Sequence, residues 1–130
     1  TGATPARERA AKQHGYNPDF DLNTYFLHDV PDDVAKQSAA HQGEEAQAAF
    51  TTPCAFEAWP SIPTHVLSGQ HDRFFPLEFQ ERVARERLRC KVETLAGGHL
   101  ITLSNPRGLA DRLLAYAQEL ASTSAGSSSS

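Results

Sequence analysis

Hydrophobic positions are scattered over residues 1–60 and become ordered beyond them. "TPARERAAKQHG" (4–15) reads as a short helix, with Thr4 as cap, Pro5 at the first helical position and Gly15 at the exit. In "NPDFDLNTYFLHDVP" (17–31) two prolines frame a short helical turn capped by Asp21. "PDDVAKQSAAHQGEEAQAAF" (31–50), rich in Ala, Glu and Gln, predicts a helix, a break at Gly43 and a second helix. After "AWPSIP" the texture changes. "IPTHVLSG" (62–69) is a short apolar run ending in Gly, as in a buried strand. "FPLEFQERVARERL" (75–88) sets Leu77, Phe79, Val83, Ala84 and Leu88 on one side and Arg and Glu on the other, the pattern of an amphipathic helix. "CKVETL" (90–95) predicts a second strand, and "GGHLITLSNP" a turn with a short helical stretch. "NPRGLADRLLAYAQEL" (105–120) predicts a helix capped by Asn105, led by Pro106 and striped by Leu109, Leu113, Tyr116, Ala117 and Leu120.

The expectation is therefore an α/β chain: a helical segment over 1–60, a parallel β-α-β-α portion over 61–120, and a flexible tail over 121–130. Strand–helix–strand–helix order is the signature of a parallel unit. Parallel sheets are covered on both faces, and two strands alone are marginal. An incomplete sheet, with more of it outside these residues, is expected. No methionine occurs among the 130 residues, which fits a chain processed or cut from something longer.

Charge excludes some partners. Residues 1–60 hold 4 Lys/Arg and 9 Asp/Glu, residues 61–130 hold 8 and 7, and the formal net charge is −4. Neither half carries a basic stripe, so nucleic acid is not expected as a partner. The "RVARERLR" stretch is interleaved with glutamate and reads as a solvated face. No apolar run approaches a membrane span or a signal-peptide core. Cys54 and Cys90 form no CxxC, which points to free thiols in a reducing, cytoplasmic setting.

Two titratable residues follow the two expected strands, where parallel sheets gather their chemistry: Asp72 in "LSGQHDRFFP" and His99 in "LAGGHL". The helix between the strands returns the chain, so the two strand ends lie side by side. A carboxylate beside an imidazole fixes its tautomer and supports the imidazolium formed on proton uptake. His99 then reads as a general base and Asp72 as its orienting partner. Phe74, Phe75 and Pro76 read as packing that fixes the Asp72 loop, with Phe74 and Phe75 also candidates for lining a substrate pocket. Phe26 and Trp59 are candidates either for facing a substrate cleft or, equally, for burial against the core. His71 reads as a surface loop residue. His28, Asp29, Asp32 and Asp33 lack zinc or calcium spacing and read as a solvated helix start, so no metal is expected. Nothing points to a cofactor.

Residues 60–120 resemble the C-terminal end of an α/β-hydrolase-fold enzyme, through "IPTHVLSGQHDRFFP" and "ETLAGGHLITLSNPRGLADRLLAY". In that family the acid follows one late strand and the histidine follows the last, in the chain order Ser, Asp/Glu, His. Asp72 and His99 fall on those two positions. Residues 1–60 resemble the lid inserted before the acid, with "FLHDVP" and "EAWPSIPTHVL" where a cap rejoins the core. The resemblance implies a hydrolase of ester-like or related small organic substrates; epoxide- and halide-cleaving members use an aspartate nucleophile instead. None of the 8 glycines starts a G-x-S-x-G, and no His-Gly-Gly-Gly loop occurs. Ser38, Ser61 and Ser104 sit on no strand-to-helix elbow, and Ser68 reads as a strand-end residue. The expected role is thus a C-terminal fragment that supplies Asp and His, inert alone, whose partner is the missing front half or a second copy at the sheet edge. The alternative is a non-catalytic module or remnant that docks through that edge.

Overall fold

A computed structural model describes residues 2–41, 43, 48–53, 55 and 57–126. Four helices come first: α1 (Ala3–His14), α2 (Leu22–Tyr25), α3 (Asp32–Ala39) and α4 (Ala48–Thr51). Then follow β1 (Val66–Gly69), α5 (Leu77–Val83) with a π-helical turn over Ala84–Leu88, β2 (Val92–Leu95), α6 (Ile101–Ser104) and α7 (Pro106–Gly126). The chain is mixed α/β. The two strands pair in parallel, Val66 with Val92 through Gly69 with Leu95, and form a two-stranded sheet among the described residues.

Capping chemistry decides where several helices stop and start. Gly15 closes α1 in the left-handed conformation (φ 75°) with its N–H on the Ala11 carbonyl. The Asp21 carboxylate accepts from the Thr24 N–H at 2.8 Å and opens α2. Asn105 opens α7 through the Gly108 N–H (3.1 Å), and its amide also donates to the Ala96 carbonyl (2.8 Å). At the front the expectation is corrected. Helix α1 begins at Ala3, with Gly2 rather than Thr4 as its cap, so Pro5 lies inside the first turn. Its missing N–H costs nothing there, because the first four N–H groups of a helix have no intrahelical partner.

Three further boundaries move. β1 starts at Val66, four residues later than the apolar run, because Pro63 has no N–H to give a ladder and residues 62–65 stay exposed. The helix after β1 widens into its π turn at Ala84 and ends on Arg89, a non-glycine residue at φ 55°. Finally, α7 runs on through Gly126, so residues 121–126 are helical rather than a tail. The stretch between Gly43 and α4 lies mostly outside the described residues, as does Cys54; Cys90 is a free thiol.

An aromatic cluster spans the two halves, alongside hydrogen bonds between them. Tyr25, with no exposed surface, donates its hydroxyl to the Asn17 carbonyl (2.7 Å) and packs edge-on to Tyr16 and against Phe20. Neither tyrosine nor Phe20 stands out in the sequence pattern. The chain of rings continues from Phe20 to Phe26 and Phe74 at centroid distances of 5.4 and 5.6 Å. Arg7 of α1 lies over the Phe74 ring at 4.0 Å and donates to the Phe74 carbonyl. Helix α7 is tied to the sheet by Arg112 and Glu93 (2.8 Å) and by His65 stacked on Tyr116 (3.9 Å). Part of its expected stripe faces outward: Leu113 is 55% exposed and Leu120 43%, while Leu109 is half-buried.

Candidate active site

The parallel pairing brings the two post-strand loops into contact. The Gln70 N–H reaches the Leu95 carbonyl (2.8 Å) and the His71 N–H reaches the Gly97 carbonyl (2.9 Å). Asp72 and His99 then meet, with Nδ1 3.0 Å from Oδ2 and 3.2 Å from Oδ1. The Asp72 side chain is 7% exposed and that of His99 20%. A nearly buried carboxylate needs donors, and Asp72 has them. Its Oδ1 accepts from the N–H groups of Phe74 (2.9 Å) and Phe75 (2.8 Å), and its Oδ2 from the Gln80 amide (3.3 Å), which also donates to the Phe75 carbonyl (2.7 Å). "DRFFP" is thus a turn closed by its own aspartate, and the first turns of α5 supply the outer support.

An ionised carboxylate only accepts, so Nδ1 of His99 carries the proton and Nε2 is left as a free acceptor. No described residue hydrogen-bonds Nε2. The ring is held by aromatic neighbours. Phe26 stacks on it at 4.4 Å and 27°, and Phe74 and Phe75 meet it edge-on at 5.1 and 5.5 Å. Three of the four aromatic residues singled out in the sequence therefore surround the imidazole. Trp59 does not. It lines a groove of about 690 Å³ with Ile62, Thr64 and Cys90, at the end of the strands opposite Asp72 and His99.

A second groove, of about 590 Å³, borders the acid loop and is lined by Arg9, His14, Tyr16, His28, Asp72 and Arg73. Neither groove has His99 in its wall. Ser68 is 3% exposed and turns its hydroxyl to the Gly69 carbonyl (3.1 Å), as befits a strand residue. His71 is an exposed loop residue. Asp32 and Asp33 are exposed in the first turn of α3, but the reading of His28 and Asp29 as part of the same solvated start is corrected. Both fold onto the paired loops: Asp29 accepts from the Gly98 N–H, and His28 Nε2 donates to the His71 carbonyl (3.1 Å). The sequence carries no sign of these roles for Gln80 and Asp29, since each acts through a contact that no local spacing encodes. Among the described residues no cluster of three or more His, Cys, Asp or Glu side chains is placed to hold a metal ion. No described helix is long and apolar enough to cross a membrane.

Burial, reinforced by Arg73 and opposed by Asp29 and the His71 carbonyl, lowers the His28 imidazole below its ordinary 6.5. The unfolded chain therefore binds a proton at a pH where the folded chain does not. Stability from this residue is complete above about pH 6.5 and declines as pH falls through that value. The urea midpoint of the wild-type chain should drop between about pH 7.5 and 5.5, and should drop less in His28→Gln. Equal pH dependence in both proteins would refute the assignment.

Fold and site together define a mixed α/β chain with an acid–imidazole pair at adjacent parallel strand ends. No protein-family model, curated protein or solved structure matches the chain.

Proposed function

We propose that this chain supplies the acid and the histidine of an α/β-hydrolase-fold serine hydrolase, acting on an ester-like or related small organic substrate. The observation that carries the reading is the pair itself: Nδ1 of His99 on a carboxylate fixed by two backbone N–H groups and an amide, with Nε2 unpartnered among the described residues. A structural ion pair has no need to leave one imidazole nitrogen open beside a ring of phenylalanines. The sequence holds no G-x-S-x-G, so the attacking hydroxyl and the oxyanion donors come from polypeptide outside it. Each such donor contributes about 3–4 kcal/mol of barrier lowering. In the completed site His99 Nε2 takes the serine proton as the hydroxyl attacks the acyl carbon. It returns that proton to the departing alcohol, and a water then repeats the sequence to release the acid. Asp72 stays ionised and steadies the imidazolium. The same polypeptide would complete the wall over His99, which neither groove provides. The free Cys90 thiol suits a cytoplasmic setting.

Expressed together with the contiguous upstream coding sequence, the protein should be labelled by a fluorophosphonate on a serine, and the label should vanish in His99→Ala. Labelling indifferent to His99 would sink the proposal. The 130-residue chain alone should cleave a p-nitrophenyl ester no faster than its His99→Ala variant. His99-dependent turnover by the chain alone would refute the placement of the nucleophile elsewhere.

A second reading, a non-catalytic module docking through its sheet edge, draws support from the two-stranded sheet and the outward Leu113, Leu114 and Leu120. Docking of that kind would be unchanged by His99→Ala.

A further inference from the structure

The segment Phe26–Asp29 touches the two site loops at corresponding points. His28 bonds the carbonyl of His71, the residue before the acid, and Asp29 bonds the N–H of Gly98, the residue before the imidazole. Phe26 of the same segment stacks on the His99 ring. Gly98 has no room for a side chain in this arrangement: a Cβ there would stand 2.6 Å from Asp29 Oδ1 and 2.7 Å from His28 Nε2. Asp29 Oδ1 is buried with no hydrogen-bond partner among the described residues. A carboxylate left half unsatisfied is poorly explained by local stability, since an apolar residue would avoid the desolvation. Its one bond, across 69 positions of sequence, goes to the peptide that enters His99.

We propose that Asp29 is a positioning residue for His99, fixing the Gly98–His99 peptide so that Nδ1 meets Asp72 and Nε2 faces the incoming hydroxyl. His28 does the corresponding service for the acid loop, and Phe26 sets the plane of the ring. The helical first half thereby becomes part of the acid–imidazole geometry and not only a cover over it. This inference rests on the hydrolase reading for its catalytic meaning and on the hydrogen bonds for its geometry.

The experiment is nuclear magnetic resonance on the full 130-residue chain with ¹⁵N-labelled backbone and histidine rings. In the wild type the Gly98 amide should exchange slowly, and His99 should show a low-field Nδ1–H proton that Asp72→Ala abolishes. Asp29→Ala should speed Gly98 exchange at least tenfold and broaden the Nδ1–H signal, while amides of α7 stay unchanged. Asp29→Asn keeps an acceptor oxygen and should restore both. An Nδ1–H signal that depends on Asp72 but is unaffected by Asp29→Ala overturns the positioning role alone. A signal indifferent to Asp72 overturns the acid–imidazole pair, whatever Gly98 reports. Unprotected Gly98 in the wild type overturns the clamp without any variant, which keeps the test intact if the alanine chain fails to fold.

Discussion

Gly69→Ala should destabilise the chain by about 3 kcal/mol, at the upper end of the usual cost of overpacking. Gly69 ends β1 and pairs with Leu95. A Cβ at this position would stand 2.2 Å from the Gly98 carbonyl oxygen, 2.7 Å from that of Gly97 and 2.9 Å from the Gly98 carbonyl carbon. All three atoms are backbone, so no side chain can swing aside. Relief requires the His99 loop to withdraw from the strand end. That loop is held by the Gln70–Leu95 and His71–Gly97 hydrogen bonds and by Asp29 on Gly98, and withdrawal strains all of them. With a urea slope of about 1–3 kcal/mol/M, the midpoint should fall by roughly 1–3 M, with loss of the low-field His99 proton. Gly43→Ala is the control, since a Cβ at Gly43 meets nothing within 4 Å among the described residues and should move the midpoint little. A Gly69→Ala chain as stable as the control would show that strand end and loop are not in contact.

The same close approach explains how much could be read in advance. The adjacency of Asp72 and His99 follows from short-range signals: two apolar runs ending in Gly or a Gly pair, and one amphipathic helix between them that suits a parallel crossover. Asp21, Asn105 and Gly15 were legible because capping is written within three or four residues. Tyr25, Asp29 and Gln80 were not. Tyr25 is buried by Tyr16 and Phe20 at the end of the four-residue α2, which is too short for periodicity to flag it. Asp29 stands in "HDVPDD", where composition alone favours a solvated helix start, and only the distant Gly98 N–H gives it another use. Gln80 sits on the polar side of an amphipathic helix and looks interchangeable with Glu81 until the Asp72 turn is built beneath it. Trp59 lines a groove away from His99, because parallel strands put the residues before them at the end opposite the paired loops. The outward leucines of α7 belong to the same limit, because a stripe predicts burial without saying against what.

Asp72→Asn should reverse the histidine while leaving the turn in place. The amide oxygen inherits the N–H groups of Phe74 and Phe75, since those two donors are fixed by the backbone at 2.9 and 2.8 Å. The NH2 group must then take the Oδ2 position, facing His99 Nδ1 at 3.0 Å and the Gln80 amide. A donor now meets Nδ1, so Nδ1 becomes the acceptor and the ring proton moves to Nε2. The nitrogen that should receive a hydroxyl proton is the one that carries hydrogen. Gln80 loses one acceptor but keeps the Phe75 carbonyl, so the fold is little disturbed. In the 130-residue chain the His99 ring nitrogens should exchange their ¹⁵N shifts, from protonated Nδ1 to protonated Nε2. On the hydrolase reading proposed above, turnover of the protein completed by a nucleophile should fall by about 10⁴-fold with little change in substrate binding, the size of loss that a wrong tautomer causes in such triads. Asp72→Ala leaves the two backbone donors unmet as well and should cost stability in addition. An Nδ1–H tautomer that survives Asp72→Asn would mean that the imidazole is oriented by something other than this carboxylate, and the proton-relay role of the pair would fall with it.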